Sequence, residues 1–497
     1  MDFDFMRGMS PCFHVNGNNI DVIETPCDFY DALVLGANSA KTRIALAALY
    51  LGTGELETLF VDSLHRALER RLSDSEFLEL DVLLDFVKGQ RGETNSLTML
   101  KPLAGFSNKV CISLFRSPMF RGLWKRLLPA RSNEILGLFH IKVFVFDNDV
   151  IVSGANLSGQ YFRNRQDRYY KIKGSKNLAD YFQGLIKTIS LFSYHLQTDG
   201  SLIFSPSCSY NPDVQPGLYD TELRNSLLQF TGPYNVPKRA NSTPRSIFIA
   251  PANFWAYIRQ FGLNIKQTDK TNEEDFVELH HHDDRDVEDT LIFPTIQLGC
   301  VNIRQDEEVT NMMLASFPAN SRACITSGYF NVTDDVTAMI AGGVATFEII
   351  TASPGANGFL GSGVFSGYMP QMYCSLVKNF FELLVKTGRS CKVKLWEYCR
   401  KDWTYHAKGI WYYPPNALFP QLTAIGSSNL AIRSMQRDLE AQLYIVTYNE
   451  KLMKKMHKEK CLIMNESSLI TNETFKESRY NVSAWVTSVI DIVKRYC

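Results

Sequence analysis

The sequence predicts an α/β protein made of two duplicated α/β/α halves related by a pseudo-twofold axis, with a site at their interface. Three observations predict it. Apolar β-branched runs alternate with stretches of helical period, the pattern of a mostly parallel sheet covered by helices. The order strand, glycine turn, helix occurs near residue 50 and again near residue 328. One polar set, His-x-Lys, glycine, asparagine and an acid, occurs once in each half at matched spacing.

The chain has 497 residues, enough for two or three domains or one large duplicated unit. The expected division is an N-terminal segment (1–30), a first half (31–200), a connecting region with surface insertions (201–290) and a second half with a C-terminal helix (291–497).

The first half is expected to open with a helix and then a buried strand, TRIALAALYL. The turn Gly52-Thr53-Gly54 follows, leading into a helix in which Leu56, Leu59, Phe60, Leu64 and Leu68 recur near helical spacing. Gly52 and Gly54 are candidates to cradle a phosphate at that helix amino terminus. The Walker lysine and the full GxGxxG are missing, so a plain strand-to-helix turn competes with that reading. LDVLLDF (80–86) is the next strand.

In SLFRSPMFRGLWKRLLPAR (113–131), Phe120, Leu123, Trp124 and Leu127 fall on one helical stripe, with Lys125 and Arg126 off it. These six are candidates for membrane contact, since a basic face beside an apolar stripe fits a membrane-surface helix. A core-facing helix with a solvated basic side gives the same pattern.

His140 to Asn156, HIKVFVFDNDVIVSGAN, reads as two strands joined by a tight turn at Asp147-Asn148-Asp149. Side chains two apart on a strand share a face, so His140 and Lys142 point the same way. The returning strand can bring Asn156 beside them, and a following acid can orient the imidazole. A helix is expected over NLADYFQGLIKTISLFSYHL. From about 200 to 290, turn formers and charge dominate, as in a connection between halves. Adjacent His280, His281 and His282 lie there, and neighbours on a charged loop rarely make a pre-organised metal site.

The second half restarts with RACITSGYFNVTDDVTAMI, matching RIALAALYLGTGELETLFV of the first. TFEIITASP, CKVKLWEY and EAQLYIVT are further strands. His406 to Asn429 is the second copy of the polar set. Asn156 is followed eleven residues later by Asp167, and Asn429 eleven residues later by Glu440. In the last segment Val482, Trp485, Val486, Val489, Ile490 and Val493 keep helical spacing, as in a docked terminal helix.

Composition narrows the class. Lysine plus arginine equals aspartate plus glutamate, 52 each, whereas nucleic-acid proteins usually carry a basic excess. No nucleic-acid partner is expected. Eleven cysteines without a CxxC pair make a poor disulfide framework and a poor zinc site, so reduced thiols are expected. No apolar run is long enough to span a bilayer. MDFDFMRGMSPCF has the pattern of neither a signal nor a transit peptide.

The duplicated set can perform metal-free phosphodiester exchange. One histidine can attack phosphorus, splitting a hard step into two easier ones. A second can serve as acid and then base. Lys142, Lys408, Asn156 and Asn429 can hold the anionic oxygens in the transition state. Asp167 and Glu440 can fix the imidazole tautomers.

This arrangement resembles the phospholipase D superfamily, whose motif is His-x-Lys, four residues, Asp, six residues, Gly-Ser. The first copy has His140, Lys142, Asp147 and Gly154, with Ala155 in place of serine. The second has His406, Lys408, Gly426, Ser427 and Asn429, with Tyr413 at the aspartate spacing and a longer loop before Gly426. The superfamily aspartate is mainly structural, so its loss leaves the chemistry in place.

ALYLGTGELE, FDNDVIVSGANLS, TSGYFNVT, ASPGANGFLGSG, WTYHAKGIWYY and RDLEAQ look like the eukaryotic phosphatidylglycerophosphate synthase family. The resemblance runs from about residue 15 to the end and is weakest between 200 and 290. It implies a phospholipase D-like fold and transfer of a phosphatidyl group from CDP-diacylglycerol to sn-glycerol 3-phosphate, with loss of CMP. Within that reaction His140 is expected to be the nucleophile and His406 the acid/base, although the symmetry permits the reverse. Arg165, Arg433 and Arg437 become candidates for the acceptor phosphate, with structural ion pairs as the competing role. No cofactor is required for the chemistry, a divalent ion being expected only to modulate lipid binding. The resemblance further implies a mitochondrial location, at the inner membrane, with peripheral or monotopic attachment. A phosphatidylserine or cardiolipin synthase, a phospholipase D or a nuclease of the same superfamily is the alternative.

Overall fold

Many strands of this chain are apolar on both faces because both faces are covered. In the strand Val143–Phe146, Phe144 and Phe146 pack outward with Phe29 and Leu33 of the helix Pro26–Ser39 and with Phe60 and Leu64 of the helix Glu55–Ser73. Val143 and Val145 pack inward, against residues of the other half. Alternation along one pleated strand thus assigns each residue to one of two cores.

The computed structural model describes residues 3–73, 77–121, 136–232, 288–361, 366–483, 486 and 488. Two large sheets run through it. The first has the order Leu202–Phe204, Tyr194–Leu196, Val110–Phe115, Glu79–Asp85, Arg43–Ala47, Val143–Phe146, Asp149–Ser153, Tyr169–Ile172, Ile20–Ile23. The second has the order Phe13–Val15, Thr290–Leu298, Glu440–Thr447, Leu422–Gly426, Lys408–Tyr413, Arg322–Ser327, Thr346–Ala352, Val393–Tyr398, Ser467–Leu469. From Tyr194–Leu196 through Ile20–Ile23, the first matches Ser467–Leu469 through Thr290–Leu298 strand for strand. In each sheet three neighbouring strands are parallel, Arg43–Ala47 with Glu79–Asp85 and Val110–Phe115, and Arg322–Ser327 with Thr346–Ala352 and Val393–Tyr398. The expected duplication is present in the strand order itself. One continuous core joins the halves, with Val145, Val152 and Ile186 from the first and Trp411, Leu443 and Met456 from the second.

The N-terminal segment is a strap that joins the two sheets. Phe13–Val15 pairs with Thr290–Leu298 of the second sheet, and Ile20–Ile23 pairs with Tyr169–Ile172 of the first. Between them the Gly17 amide donates to Asp289 Oδ1 at 2.8 Å.

The region expected to be a connection is folded in part. Leu202–Phe204 adds a strand to Tyr194–Leu196. The helix Pro216–Thr231 buries Tyr219, Leu223 and Leu227 with Leu185 and Ile189 of the helix Lys176–Ser190. The first half therefore extends to about residue 232. Residues 233–287, with His280 to His282, lie outside the described residues.

Phe120 is not a membrane contact: its side chain is only 7% exposed. Beside it, Arg121 forms a two-pronged ion pair with Asp220, at 2.9 and 2.6 Å. Leu123, Trp124, Lys125, Arg126 and Leu127 lie outside the described residues. Among the described residues no helix is long and apolar enough to cross a membrane. At the C-terminal end, Val486 is buried against Met372 and Tyr373, while Trp485, Val489, Ile490 and Val493 of the expected terminal helix lie outside the described residues.

Candidate active site

The two strands Val143–Phe146 and Asp149–Ser153 form the expected hairpin. Asp147 sits at its tip with φ of 52°, a conformation that aspartate tolerates better than most residues. Its carboxylate accepts from the amides of Lys41, Thr42 and Arg43 and from Thr42 Oγ1. Five residues of extended strand put it roughly 16 Å from Lys142. Asp147, a candidate site residue as part of the His-x-Lys motif, therefore ties down the entry to the strand Arg43–Ala47, a structural role away from the histidines.

At the other end of the hairpin the two polar sets meet. His140 Nδ1 lies 2.9 Å from Glu440 Oε2, and His406 Nδ1 lies 2.7 Å from Asp167 Oδ2. Each acid belongs to the half opposite the ring it holds. The backbone crosses in the same way. The His140 amide donates to the Leu439 carbonyl and the His406 amide to the Gln166 carbonyl, each at 2.8 Å and each to the residue just before the acid. The acid following each asparagine thus orients the other half's imidazole, not its own. Gly154 makes room for Asp167, since a Cβ there would stand 2.6 Å from its Oδ1.

Both lysines fold back on their own histidines. Lys142 Nζ donates to the His140 carbonyl at 2.6 Å, and Lys408 Nζ to the His406 carbonyl at 2.8 Å. Asn156 and Asn429 each retain a buried side-chain oxygen without a hydrogen-bond partner, and Asn156 Nδ2 donates to Tyr161 Oη at 3.0 Å.

The electrostatics favour neutral rings. Burial, reinforced by the neighbouring lysines, lowers both histidines well below their usual value. Each Nδ1–H can then be donated to a carboxylate, leaving a lone pair on Nε2. Burial also lowers Lys142, and brings Lys408 down to about 8 against the pull of Asp167 and Glu440. Asp167 is pushed up to about 6 by burial, against Lys408.

The symmetry breaks at Tyr161, which the sequence did not single out. Its hydroxyl lies 3.2 Å from His406 Nε2, and its ring meets the imidazole edge-on. Among the described residues no side chain makes a corresponding hydrogen bond to Nε2 of His140. Tyr329 meets the His406 ring edge-on as well. Arg168, next to Asp167, was also missed; it is fully buried and donates to the Lys408 carbonyl at 3.1 Å.

The remaining candidates separate. Arg165 lies in a short strand, Arg165–Gln166, that pairs with Thr404–Tyr405 immediately before His406. Arg433 faces Asp438 at 3.0 Å and bears electrostatically on His140. Arg437 is half-buried just past the short helix Ile432–Gln436. Gly52 and Gly54 do not cradle a phosphate, because the Glu57 carboxylate fills the turn. A Cβ on Gly52 would collide with Glu57 Oε1, one on Gly54 would stand 2.9 Å from Oε2, and Oε1 accepts from the Gly159 amide at 2.7 Å. An acid near a helix amino terminus is favoured there, and Glu57 was the available signal.

Two α/β/α halves that exchange acids across a paired His-Lys site define an enzyme of phospholipase D-like fold. The fold is shared with phosphatidylserine synthase of Haemophilus influenzae Rd KW20, with a TM-score of 0.66 and 19% identity over 99% of this chain and 96% of that one. No family model matches the sequence. Curated relatives do. The Homo sapiens protein named CDP-diacylglycerol–glycerol-3-phosphate 3-phosphatidyltransferase, mitochondrial, is 36% identical over 502 residues, 99% of this chain and 86% of that protein. The Saccharomyces cerevisiae CDP-diacylglycerol–glycerol-3-phosphate 3-phosphatidyltransferase is 33% identical over 95% of this chain and 86% of its own length. This chain belongs to the CDP-diacylglycerol–glycerol-3-phosphate 3-phosphatidyltransferase family.

Proposed function

We propose that the protein transfers the phosphatidyl group of CDP-diacylglycerol to sn-glycerol 3-phosphate through a phosphatidyl-histidine, releasing CMP and then phosphatidylglycerophosphate. The names of its relatives support the substrates. The crossed His–acid pairs, each with a lysine alongside, carry the mechanism.

In the first step Nε2 of His140 attacks the phosphorus bearing diacylglycerol. A P–N bond forms, the bond to the CMP oxygen breaks, and CMP leaves with its electron pair. CMP is a good leaving group, so this step needs little acid assistance. In the second step the 1-hydroxyl of sn-glycerol 3-phosphate attacks the same phosphorus, gives its proton to Nε2 of His406, and displaces His140. An alcohol is a poor nucleophile, so base assistance matters here. Tyr161 supports this division of labour, because its hydroxyl marks, beside His406 Nε2, a position that an acceptor hydroxyl can take. Lys142 and Lys408 supply positive charge for the non-bridging oxygens.

We place this chemistry at a membrane surface, with peripheral or monotopic attachment, and locate the protein at the mitochondrial inner membrane. The relatives named mitochondrial support the organelle. All the groups invoked are side chains, so no metal step enters the mechanism. CMP release from CDP-diacylglycerol in detergent micelles tests it. Release should rise with sn-glycerol 3-phosphate, survive chelator, and disappear in His140→Ala. Loss of activity with chelator, or transfer to serine in place of glycerol 3-phosphate, would overturn the reading.

A further inference from the structure

Three arginines are buried among the described residues: Arg116, Arg165 and Arg168. Two of them face carboxylates. Arg116 pairs with Asp213 at 2.9 Å, and Arg168 with Glu459 at 2.9 Å. Arg165 does not. Its Nε donates to Thr404 Oγ1 at 2.9 Å and its Nη2 to Gln160 Oε1 at 2.7 Å, and both acceptors are neutral. Its guanidinium carbon lies 4.6 Å from the centre of the Tyr161 ring. A buried charge without a counter-charge is costly, so an uncompensated guanidinium beside a reaction centre is a place for an anion.

The surroundings form a shaped wall. Tyr161 touches both Arg165 and His406. Tyr329 meets the His406 ring on another side. The Gly358 backbone closes over both: a Cβ there would stand 2.6 Å from Tyr329 Oη and 3.3 Å from Arg165 Nη2. Only a residue without a side chain lets that loop come so near. Among the described residues nothing corresponds at His140, where the arginine that bears on the ring, Arg433, already faces Asp438. The charge asymmetry therefore falls on the side of the base that must deprotonate the acceptor.

We propose that Arg165, walled by Tyr161, Tyr329 and Gly358, is the acceptor-selecting subsite, which binds the phosphomonoester of the acceptor while His406 takes the proton of its far hydroxyl. This rests on the reading of the acceptor as sn-glycerol 3-phosphate. A planar guanidinium fork matches a phosphate in a way that a lysine does not. Acceptors lacking a phosphate would leave the buried charge unpaired, so the subsite selects against them.

The test is product partition. A phosphatidyl-enzyme can be intercepted by sn-glycerol 3-phosphate, giving phosphatidylglycerophosphate, or by water, giving phosphatidate. The ratio of the two products is independent of how much enzyme is folded. For Arg165→Gln, the concentration of sn-glycerol 3-phosphate needed for equal partition should rise by about tenfold or more, the scale of a lost charge-assisted contact. Arg165→Lys should fall between the variant and wild type, and it provides the comparison if the glutamine variant does not fold. An unchanged partition ratio in either folded variant, with both products lowered together, would assign Arg165 a purely structural role and overturn the proposal. If wild type itself makes no phosphatidylglycerophosphate at any acceptor concentration, the proposed function fails instead, whatever the variants do.

Discussion

Arg168 and Glu459 clasp the two halves with two parallel hydrogen bonds, Nε to Oε1 at 2.9 Å and Nη2 to Oε2 at 3.0 Å. The same guanidinium donates to Thr423 Oγ1 and the Ala424 carbonyl and stacks 3.7 Å from the Trp411 ring. Glu459 in turn accepts from Tyr170 Oη and Trp411 Nε1. Glu459→Ala leaves a buried guanidinium without its charge partner and should cost about 3–5 kcal/mol of stability. Replacing both residues with apolar ones of similar size should cost less than either single change. Denaturant midpoints of the two single variants and the double variant check this.

The crossed acids predict opposite fates for two variants. Glu440→Gln loosens His140 and should prevent the phosphatidyl-enzyme from forming. Asp167→Asn loosens His406 and should let that intermediate accumulate, with turnover down by about 10²–10⁴-fold, the scale for a misoriented catalytic histidine. Label from the phosphatidyl group retained on denatured protein distinguishes them. Label on Glu440→Gln but not on Asp167→Asn would reverse the two histidine roles.

The pH profile of kcat/KM should be a bell. Both histidines are lowered, so neutral His140 persists well into the acid range. Asp167 gains a proton as pH falls through about 6 and ceases to anchor His406, which sets the acid limb. Lys408 loses its charge as pH rises through about 8 and no longer stabilises the anionic transition state, which sets the alkaline limb. Lys408→Arg should abolish the alkaline limb, because arginine does not titrate there. An alkaline limb unmoved in that variant would remove Lys408 from the profile.

Asp147→Ala should affect stability and not chemistry. The variant loses hydrogen bonds to three backbone amides and one hydroxyl, which should cost about 1–3 kcal/mol. Turnover per folded molecule should stay within about twofold. A large fall in kcat at full folding would return Asp147 to the site.

The fold was legible because period and repetition survive in the residues. The matched strand-turn-helix runs and the two His-x-Lys sets announced two halves. The partner of each imidazole was not legible, since an acid eleven residues after an asparagine keeps the same spacing whichever ring it serves. Only the packing of one half on the other decides that. Phe120 was misread because a helical stripe does not tell a lipid surface from a core. Tyr161 and Arg165 stand in plain view in the stretch SGQYFRNRQDRY. What singles out Tyr161, a hydroxyl on the opposite half's histidine, and what separates Arg165 from the other candidate arginines, a guanidinium without a carboxylate, exist only after folding.

The strap at the amino end sets a clock on synthesis. Gly17 and its partner Asp289 are 272 residues apart in the chain. At about 5–20 residues per second, roughly 14–54 s separate their emergence from the ribosome. Phe13–Val15 waits through that interval with its partner strand unmade, while Ile20–Ile23 can already join the first sheet. His140 is likewise made long before Glu440, so a nascent first half carries an unanchored imidazole. Catalytic competence waits for one later-made strand, Glu440–Thr447, which brings the acid and pairs with the strand that the strap has been waiting for.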